Sequence, residues 1–326
     1  MKREKTKGKR NTGTRLLAST LIFGILSLTP IAAEARSAPT APSEALTRAA
    51  RSPSETIEAP RTRKIDYNLP GIPSRSLSYY RQKSIYLGGS KLSLPAATVN
   101  GITYVPIKDI AERIAGARVS VDHKARSARI SARGLTLSAT HGGYVTYAND
   151  RPFFSFSPTV YMTNGEIYVP LSVITRSFGI FANDTSYSLT LSGSYSPPKS
   201  ASAFYREDEV YWLSKIISAE SSGESLLGQI AVGDVILNRV KSKSFPNTIY
   251  SVIFDRKYGV QFSPTADGRI YAAPTYTATL AAKICLEGIS LSDNAMYFLN
   301  PRIAASNWIV KNRSYVYTIG NHDFYE

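Results

Sequence analysis

Residues 217–224 read I-S-A-E-S-S-G-E and separate two helical patterns. In the upstream pattern, 207–220, Leu213 and Ile216 belong to one apolar stripe, because side chains three and four positions apart share a helix face. The downstream pattern, 225–241, has a similar stripe of leucine, isoleucine and valine. The sequence therefore predicts two packed helices joined by a short turn.

A third helix and two strands follow this helix pair. The third helical pattern covers 275–287 and ends at Gly288, and a glycine is typical of a helix C-terminus. The runs 295–299 and 315–319 are rich in aromatic and β-branched residues and indicate strands. Because helices followed by strands are typical of the α+β class, we predict an α+β domain over residues 200–326.

Two carboxylates lie at opposite helix ends in the first connection. Glu220 is in the last helical turn, where the macrodipole opposes ionisation, and Glu224 starts the next helix, where the dipole favours the anion. This placement separates their pKa values and makes Glu220 the better proton donor near neutrality, as a general acid for glycosidic cleavage requires. The structural alternatives are a surface role for Glu220 and a capping box that joins Glu224 to Ser221.

An internal repeat precedes this domain. N-G-I-T-Y-V-P-I at 100–107 recurs as N-G-E-I-Y-V-P-L at 164–171, and Asn-Gly before a β-rich run predicts a hairpin turn. Each copy continues into a short amphipathic helix that ends at a glycine, Gly116 or Gly179, and then into further strands. We predict a hairpin–helix–hairpin unit used twice over residues 84–195.

The repeat resembles the copper amine oxidase N-terminal-like (stalk) domain of secreted bacterial proteins. The resemblance implies a small α/β module with antiparallel strands that serves adhesion or spacing rather than catalysis. His123 and His141 stand alone among basic and glycine residues, so we expect exposed turn histidines and no copper site.

The first 83 residues are predicted to be a targeting segment and a tether. A basic start, an apolar run at 16–28 and Ala33-Glu34-Ala35 are typical of a signal peptide cut after Ala35, with an uncleaved membrane anchor as the alternative. Residues 36–83 are rich in Pro, Ser and Arg without apolar periodicity, so we expect a disordered linker. Both versions place the remainder of the chain outside the cytoplasm, as a secreted or cell-envelope protein.

Composition narrows the partners and cofactors. The 326 residues contain 39 basic and 24 acidic side chains, but residues 196–326 are nearly neutral, with 13 basic and 12 acidic groups. An enzyme that acts on nucleic acid would carry its excess of basic side chains on the catalytic domain. The excess lies in the N-terminal half instead, which suits binding to anionic wall polymers. One cysteine excludes an intramolecular disulfide, and three histidines leave little material for a metal centre, so no cofactor is implied.

Six further motifs accompany the stretch at 217–224. They are G-Q-I-A-V at 228–232, V-I-L-N-R-V at 235–240, F-P-N-T at 245–248, Q-F-S at 261–263, Y-F-L-N-P at 297–301 and I-G-N-H at 319–322. In this order they resemble the SleB-type cell wall hydrolase family, which includes spore-cortex-lytic enzymes. One departure is Ser221-Ser222, which stands where the family has Ala-Arg.

The resemblance implies a lysozyme-like lytic transglycosylase acting on peptidoglycan glycan strands, in wall remodelling or spore cortex lysis. Its catalytic acid is Glu220, which cleaves the β-1,4 bond between N-acetylmuramic acid and N-acetylglucosamine and leaves a 1,6-anhydro end. A single carboxyl suffices because the 6-hydroxyl of the sugar attacks internally. If water attacks instead, the candidates for a second carboxylate are Glu224 and Asp267.

Six residues of the C-terminal domain are candidates for substrate binding. Aromatic rings offer flat platforms for sugar faces, and side-chain amides can bond acetamido or hydroxyl groups. The candidates are Phe262, Tyr297 and Trp308 for stacking, and Gln261, Asn300 and Asn321 for hydrogen bonding.

Three other functions stay open. An N-acetylmuramoyl-L-alanine amidase needs several zinc ligands, and the C-terminal domain contains one histidine, His322, and one cysteine, Cys285. A non-catalytic wall-binding protein is kept open by Ser221-Ser222. A cysteine peptidase is disfavoured because the helical spacing around Cys285 predicts a buried small hydrophobe.

Overall fold

A computed structural model describes residues 69–162 and 164–326 of the chain. The predicted signal peptide, 1–35, and residues 36–68 of the predicted linker lie outside the described residues. Within the described ranges, no helix combines the length and apolar character needed to cross a membrane.

The N-terminal module consists of two sheets and two helices. Eight strands form one sheet in the order β10-β11-β4-β3-β1-β13-β12, with β2 paired to β1, and five strands form a second in the order β5-β6-β7-β8-β9. The strands are β1 Arg81–Leu87, β2 Ser90–Lys91, β3 Ala96–Val99, β4 Ile102–Pro106, β5 Arg118–Asp122, β6 Ser127–Ala132, β7 Leu135–Thr140, β8 Val145–Ala148, β9 Arg151–Phe154, β10 Val160–Tyr161, β11 Ile167–Pro170, β12 Phe181–Asp184 and β13 Ser188–Ser192. The helices are α1 Ile107–Ala115 and α2 Leu171–Phe178.

Both copies of the repeat fold as the predicted unit. The first comprises hairpin β3–β4, helix α1 and hairpin β5–β6, and the second comprises β10–β11, α2 and β12–β13. Asn100 (φ 48°) and Gly101 (φ 80°) both have the positive φ of a type I′ turn, and Gly116 (φ 57°) ends α1 in the left-handed conformation. The copies differ in one respect: β13 returns to the main sheet beside β1, whereas β5 and β6 begin the second sheet.

The module begins before the predicted boundary at residue 84. Strand β1 starts at Arg81, Leu77 is buried, and Lys83 is 7% exposed. The Lys83 ammonium pairs with the Asp184 carboxylate and donates to the Thr185 carbonyl at 3.1 Å. Composition could not reveal this start, because a buried lysine is tolerated only where the fold supplies such partners.

The C-terminal domain consists of helices packed around one core and a three-stranded sheet in the order β14-β16-β15. Its helices are α3 Ala201–Phe204, α4 Glu207–Ser221, α5 Leu226–Lys241, α6 Ile249–Ile253, α7 Pro264–Asp267, α8 Tyr276–Leu286 and α9 Trp308–Asn312. Its strands are β14 Tyr297–Leu299, β15 Tyr315–Ile319 and β16 His322–Tyr325. The predicted α+β class is therefore confirmed, and β16 is an element that the sequence pattern did not indicate.

The three long helices approach closely at one glycine. A Cβ on Gly233 of α5 would lie 2.7 Å from Cys285 Sγ of α8 and 2.8 Å from Ile217 Cδ1 of α4. Cys285 is 2% exposed, its thiol donates to the Ile230 carbonyl at 3.4 Å, and burial raises its pKa well above the usual value. Cys285 is thus the buried small hydrophobe that its spacing predicted, and it lacks the lowered pKa of a nucleophile.

A buried ion-pair cluster joins the two domains. Glu287, which follows α8, has a side chain 1% exposed and binds Arg151 of β9 through two hydrogen bonds of 2.8 Å. Arg176 of α2 donates to the same carboxylate at 3.2 Å, and the Tyr205 hydroxyl donates at 2.5 Å. Phe154 of β9 completes the contact by packing into the core of the C-terminal domain.

We expect Glu287→Gln to lower the free energy of unfolding by about 3 kcal/mol. The substitution keeps the shape of the side chain but leaves Arg151 and Arg176 charged in a site with little water, which is costly. Urea unfolding at neutral pH measures the change, and the exposed Glu112→Gln serves as the control, with an expected change below about 0.5 kcal/mol. Equal stability of the two variants would contradict a stabilising role for the cluster.

Candidate active site

Glu220 occupies the last turn of α4 and is half-buried. Loss of hydration raises its pKa to about 7, the nearby Asp267 carboxylate adds to this increase, and Arg269 opposes it. The direction agrees with the expectation from the helix position, but burial is the main cause. The group is therefore protonated in a large fraction of molecules near neutral pH, as a proton donor requires.

Arg269 organises the surroundings of Glu220. Its Nε donates to Asp267 Oδ2 at 2.9 Å, its Nη2 to Ser263 Oγ at 3.1 Å, and its Nη1 to the Ala219 carbonyl at 3.3 Å. Asp267 also accepts the Arg269 backbone N–H at 3.0 Å, and this bond, followed by those from the guanidinium, lowers its pKa. The structure thus brings Asp267 close to Glu220 and engages its carboxylate with Arg269.

The loop that carries Arg269 is tied to α4 at two more points. The buried Lys215 donates to the carbonyls of Tyr271 at 2.9 Å and Ala272 at 2.8 Å. The Thr275 N–H donates to Ser218 Oγ at 3.1 Å. One side of α4, from Lys215 to Glu220, therefore lies along a fixed loop.

Glu224 does not form the capping box considered from the sequence. Ser225 is the N-cap of α5 and accepts from the Gly228 N–H at 3.2 Å, whereas Ser221 Oγ donates back to the Ile217 carbonyl at 2.7 Å. Glu224 precedes the cap, and its side chain lies against Gly228 of α5, where an added Cβ would be 3.0 Å from Glu224 Cβ. The predicted helix start near Ser225 is confirmed, and the capping-box alternative is wrong because Ser225 rather than Ser221 is the cap.

Glu224 instead anchors the turn between β15 and β16. Its carboxylate accepts from Asn321 Nδ2 at 2.9 Å and from the Asn321 N–H at 3.2 Å, and a Cβ on Gly320 would lie 2.0 Å from Oε2. His322 Nδ1 lies 3.7 Å from Glu224 Oε1, and burial lowers the His322 pKa. Neither candidate role is supported here: Glu224 is held by Asn321 rather than facing a water, and the Asn321 amide holds Glu224 rather than facing a sugar.

Phe262 was expected to stack on sugars but belongs to the core. It is 3% exposed and packs against Phe298 at 6.3 Å between ring centroids. The buried Arg239 lies over its ring at 5.1 Å and donates to Gln261 Oε1 at 3.5 Å, and burial lowers the Arg239 pKa to about 10. Burial alternates along this segment: Gln261 and Ser263 are partly or fully exposed, and Phe262 between them is buried. Phe262 is therefore not available for stacking on a sugar.

Tyr297 and Trp308 form an aromatic pair at the surface. Their ring centroids lie 6.4 Å apart, and Trp308 is 50% exposed. The Arg313 guanidinium lies 4.5 Å from the Tyr297 ring and 5.2 Å from that of Trp308. Asn300 Oδ1 accepts from the Arg302 N–H at 3.0 Å within the following turn. Tyr297 and Trp308 therefore remain candidates for sugar contact, and the Asn300 carbonyl oxygen is already used.

Two arginines near the candidate residues were not predicted from the sequence. Arg239 lies in the V-I-L-N-R-V motif, and Arg269 ends the run A-D-G-R at 266–269, outside the recognised motifs. Arg269 lies 49 positions after Glu220, so no short sequence pattern indicates that the two side chains are close in space. The motif itself was the one available indication for Arg239.

Both stalk histidines lie in turns as predicted, with His123 exposed and His141 half-buried, but the two share a contact with Tyr161. His123 Nδ1 lies 2.9 Å from the Tyr161 hydroxyl, and His141 Nδ1 accepts the Tyr161 N–H at 3.0 Å. Tyr161 joins them from a distant strand, which sequence spacing does not indicate. Among the residues placed by the structure, no group of three or more His, Cys, Asp or Glu could hold a metal ion.

Comparison with known proteins assigns both domains. Residues 223–325 match the family described as Cell Wall Hydrolase. The match places a cell wall hydrolase domain at the C-terminal end of the chain. Residues 86–190 match the Copper amine oxidase N-terminal domain, so both predicted resemblances are confirmed. Glu224 lies inside the cell wall hydrolase match, and Glu220 lies three positions before its first residue.

Spore cortex-lytic enzymes are among the relatives of the cell wall hydrolase domain. The enzyme of Bacillus cereus is 42% identical over 120 residues, which cover 37% of this chain and 45% of that protein. The enzyme of Bacillus subtilis is 37% identical over 122 residues, covering 37% and 39%. The chain thus spans less than half the length of these curated relatives. A solved structure, the catalytic domain of the germination-specific lytic transglycosylase SleB from Bacillus anthracis, is 41% identical, with coverage of 37% and 97% and a TM-score of 0.34.

We expect Glu220→Gln to stabilise the protein at pH 8 and not at pH 4. The folded-state pKa of about 7 exceeds the ordinary value of 4.5, so the wild-type carboxyl destabilises the fold increasingly as the pH rises between these values. The glutamine carries no such cost. The unfolding free energy of Glu220→Gln relative to the wild type should therefore increase by on the order of 3 kcal/mol from pH 4 to pH 8. Urea unfolding at both pH values tests this, with the exposed Glu207→Gln as control. A pH-independent difference for Glu220→Gln would contradict the raised pKa.

We expect Glu224 and Asn321 to be strongly coupled in stability. Glu224→Ala and Asn321→Ala each remove the charge-assisted hydrogen bond from Asn321 Nδ2, whereas the bond from the Asn321 backbone N–H is lost only with Glu224. Because the shared bond can be lost only once, the double variant should lose less than the sum of the single variants, by about 1 kcal/mol. Urea unfolding of the four proteins measures this coupling. Strictly additive losses would mean that the two residues act independently.

Proposed function

We propose that the chain is an enzyme that degrades peptidoglycan, cleaving the β-1,4 bond between N-acetylmuramic acid and N-acetylglucosamine as a lytic transglycosylase. The observation that carries this proposal is the half-buried Glu220 with a pKa of about 7. The similarity to spore cortex-lytic enzymes, and to a catalytic domain named as a lytic transglycosylase, supports the same reaction.

In the first step, Glu220 donates its proton to the oxygen that links the two sugars. The bond between the muramic acid C1 and this oxygen breaks, and the N-acetylglucosamine leaves as an alcohol. Positive charge then develops at C1, while Glu220 is left as a carboxylate. Arg269 lies close enough to lower the Glu220 pKa, so it stabilises this ionised form.

In the second step, the Glu220 carboxylate takes the proton of the muramic acid 6-hydroxyl. The hydroxyl oxygen bonds to C1 and closes the 1,6-anhydro ring, and Glu220 returns to its protonated form. The reaction consumes no water, and the internal nucleophile supplies proximity without a second catalytic group.

The occupied carboxylates favour this route over hydrolysis. A hydrolase that works with two carboxyl groups needs one that is free to activate water or to attack the sugar. Glu224 is bound to Asn321, and Asp267 is bound to Arg269. Asp267 is the less buried of the two, so it is the better candidate if water is the acceptor.

The other functions have less support. An amidase of the zinc type needs a group of metal ligands, and the described residues contain no such group. A purely wall-binding protein would not need a carboxyl held at a pKa of about 7. The replacement by Ser221-Ser222 leaves both Glu220 and Arg269 in place.

The location and partners follow from the substrate. Peptidoglycan lies outside the cytoplasmic membrane, which agrees with the predicted signal peptide at 1–35 and a role in the cell envelope. The exposed Trp308 and its neighbour Tyr297 would support a sugar ring of the strand. The basic N-terminal half would add affinity for anionic wall polymers.

We expect the full chain to release fragments with 1,6-anhydro-muramic ends from purified peptidoglycan. Glu220→Gln should lower the rate by about 10²–10⁴-fold, because general acid–base catalysis typically contributes that much. Glu207→Gln, on the exposed start of the same helix, is the matched control and should digest at the wild-type rate. Mass spectrometry of the digest identifies the ends.

Each alternative gives a different digest. New reducing ends would indicate hydrolysis, free peptide stems would indicate an amidase, and no cleavage by the wild type would indicate a binding protein. Undiminished digestion by Glu220→Gln would refute the catalytic role of this residue.

A further inference from the structure

The five-stranded sheet of the stalk module has one buried face and one partly open face. The buried face contributes Ile130, Leu137 and Phe153 to the core of the module. On the other face, the strand register places Ser120, Arg129, Ser138 and Tyr147 in one row across β5, β6, β7 and β8. Both Ser120 and Arg129 are exposed.

The C-terminal domain covers one end of this same face. Val145 of β8 pairs with Phe154 of β9, and both pack against the C-terminal core. In the same row as Arg129, the Tyr147 hydroxyl lies 3.3 Å from the Tyr276 hydroxyl of α8. The face is therefore open over β5 to β7. At β8 and β9 it meets the C-terminal domain, and we call this junction, marked by Tyr147 and Tyr276, the corner.

This corner leads to the candidate active site. Tyr276 opens α8 and is 75% exposed, and the preceding Thr275 is bonded to Ser218, two positions before Glu220 on α4. Tyr271, in the loop fixed by Lys215, is 63% exposed. Exposed tyrosines thus lie along the path from the sheet to Glu220.

The open part of the sheet carries unpaired positive charge. Five basic residues lie on β5, on β6 or in the turns that end them, and none has an ion pair among the residues placed by the structure. They are Arg118, Lys124, Arg126, Arg129 and Arg133. The one acidic residue of this segment, Asp122, accepts the Ala125 N–H at 2.8 Å within the hairpin. Such a patch attracts polyanions, and its affinity falls with salt.

We propose that this sheet face binds the peptidoglycan strand beyond the cleavage site, with its arginines contacting free carboxylates of the peptide stems. The proposal rests on the proposed substrate. The hydroxyl groups of the row and the tyrosines at the corner contact the sugars. Because the buried Glu287 cluster fixes the two domains to each other, a strand held on the sheet stays close to Glu220.

Binding is tested with the full chain carrying Glu220→Gln, so that the polymer is not consumed. Arg118→Glu/Arg129→Glu should weaken co-sedimentation with insoluble peptidoglycan at low salt by about tenfold. Lys91→Glu/Lys108→Glu, two exposed cations elsewhere on the stalk module, makes the same charge change and should bind as the Glu220→Gln parent does. Equal binding by the two double variants would overturn the proposal.

The source of the negative charge is tested on chemically altered walls. Amidating the peptide carboxyl groups should abolish the difference in binding between the parent and Arg118→Glu/Arg129→Glu, whereas stripping phosphate polymers with acid should leave that difference unchanged. A difference that persists on amidated walls, or one that disappears with the phosphate polymers, would overturn the assignment.

Cleavage of short soluble fragments separates this proposal from the proposed function. In a chain with Glu220 intact, Arg118→Glu/Arg129→Glu should cleave these fragments at the wild-type rate, because they do not reach the sheet. A loss of that rate would place the two arginines in the active site and overturn the proposal. Failure of the wild type to cleave any substrate would refute the proposed function and still leave the binding comparison readable.

Discussion

A carboxyl group at the end of α4 is held partly out of water, and the proposed chemistry depends on this position. Burial raises the Glu220 pKa to about 7, while Arg269 limits the increase and so keeps both protonation states accessible. A fully exposed glutamate would be ionised at neutral pH, and a deeply buried one without a cation would resist giving up its proton. The intermediate environment suits a group that must donate a proton and then take one back.

The surrounding structure fixes that environment from several sides. Gly233 allows α4, α5 and α8 to pack closely, Lys215 and Ser218 hold the loop that carries Arg269, and Glu224 anchors the turn of the last two strands behind the α4–α5 connection. The cluster at Glu287 adds the stalk module to the same rigid arrangement. Three of these contacts involve buried charged side chains, Lys215, Glu224 and Glu287, and each is hydrogen-bonded, because a buried charge without partners would be costly.

The sequence predicted the local features well and the tertiary ones poorly. The long helices, their ends and the repeated hairpin–helix–hairpin unit depend on spacing, caps and turn residues, which are contained in short windows. The role of Glu224 depends on Asn321, and the interior position of Phe262 depends on Phe298 and Arg239, all distant in the chain. The start of the stalk module was missed for the same reason, since Lys83 is buried only through Asp184.

The candidate site divides in the same way. Glu220 was identified from a motif and a helix end, and the direction of its pKa shift was correct, although the helix dipole is not its main cause. The proximity of Asp267 and Arg269 to Glu220 depends on how the loop folds back onto α4, which the sequence does not indicate. Trp308 and Tyr297 were proposed singly, and the structure makes them neighbours.

The central claim is tested most directly by titrating Glu220 itself. Nuclear magnetic resonance of the full chain with labelled glutamate side chains, assigned by comparison with Glu220→Gln, follows this carboxyl as the pH changes. The account predicts a midpoint near 7, the pKa to which burial raises the group. A midpoint at the ordinary glutamate value of about 4.3 would contradict it.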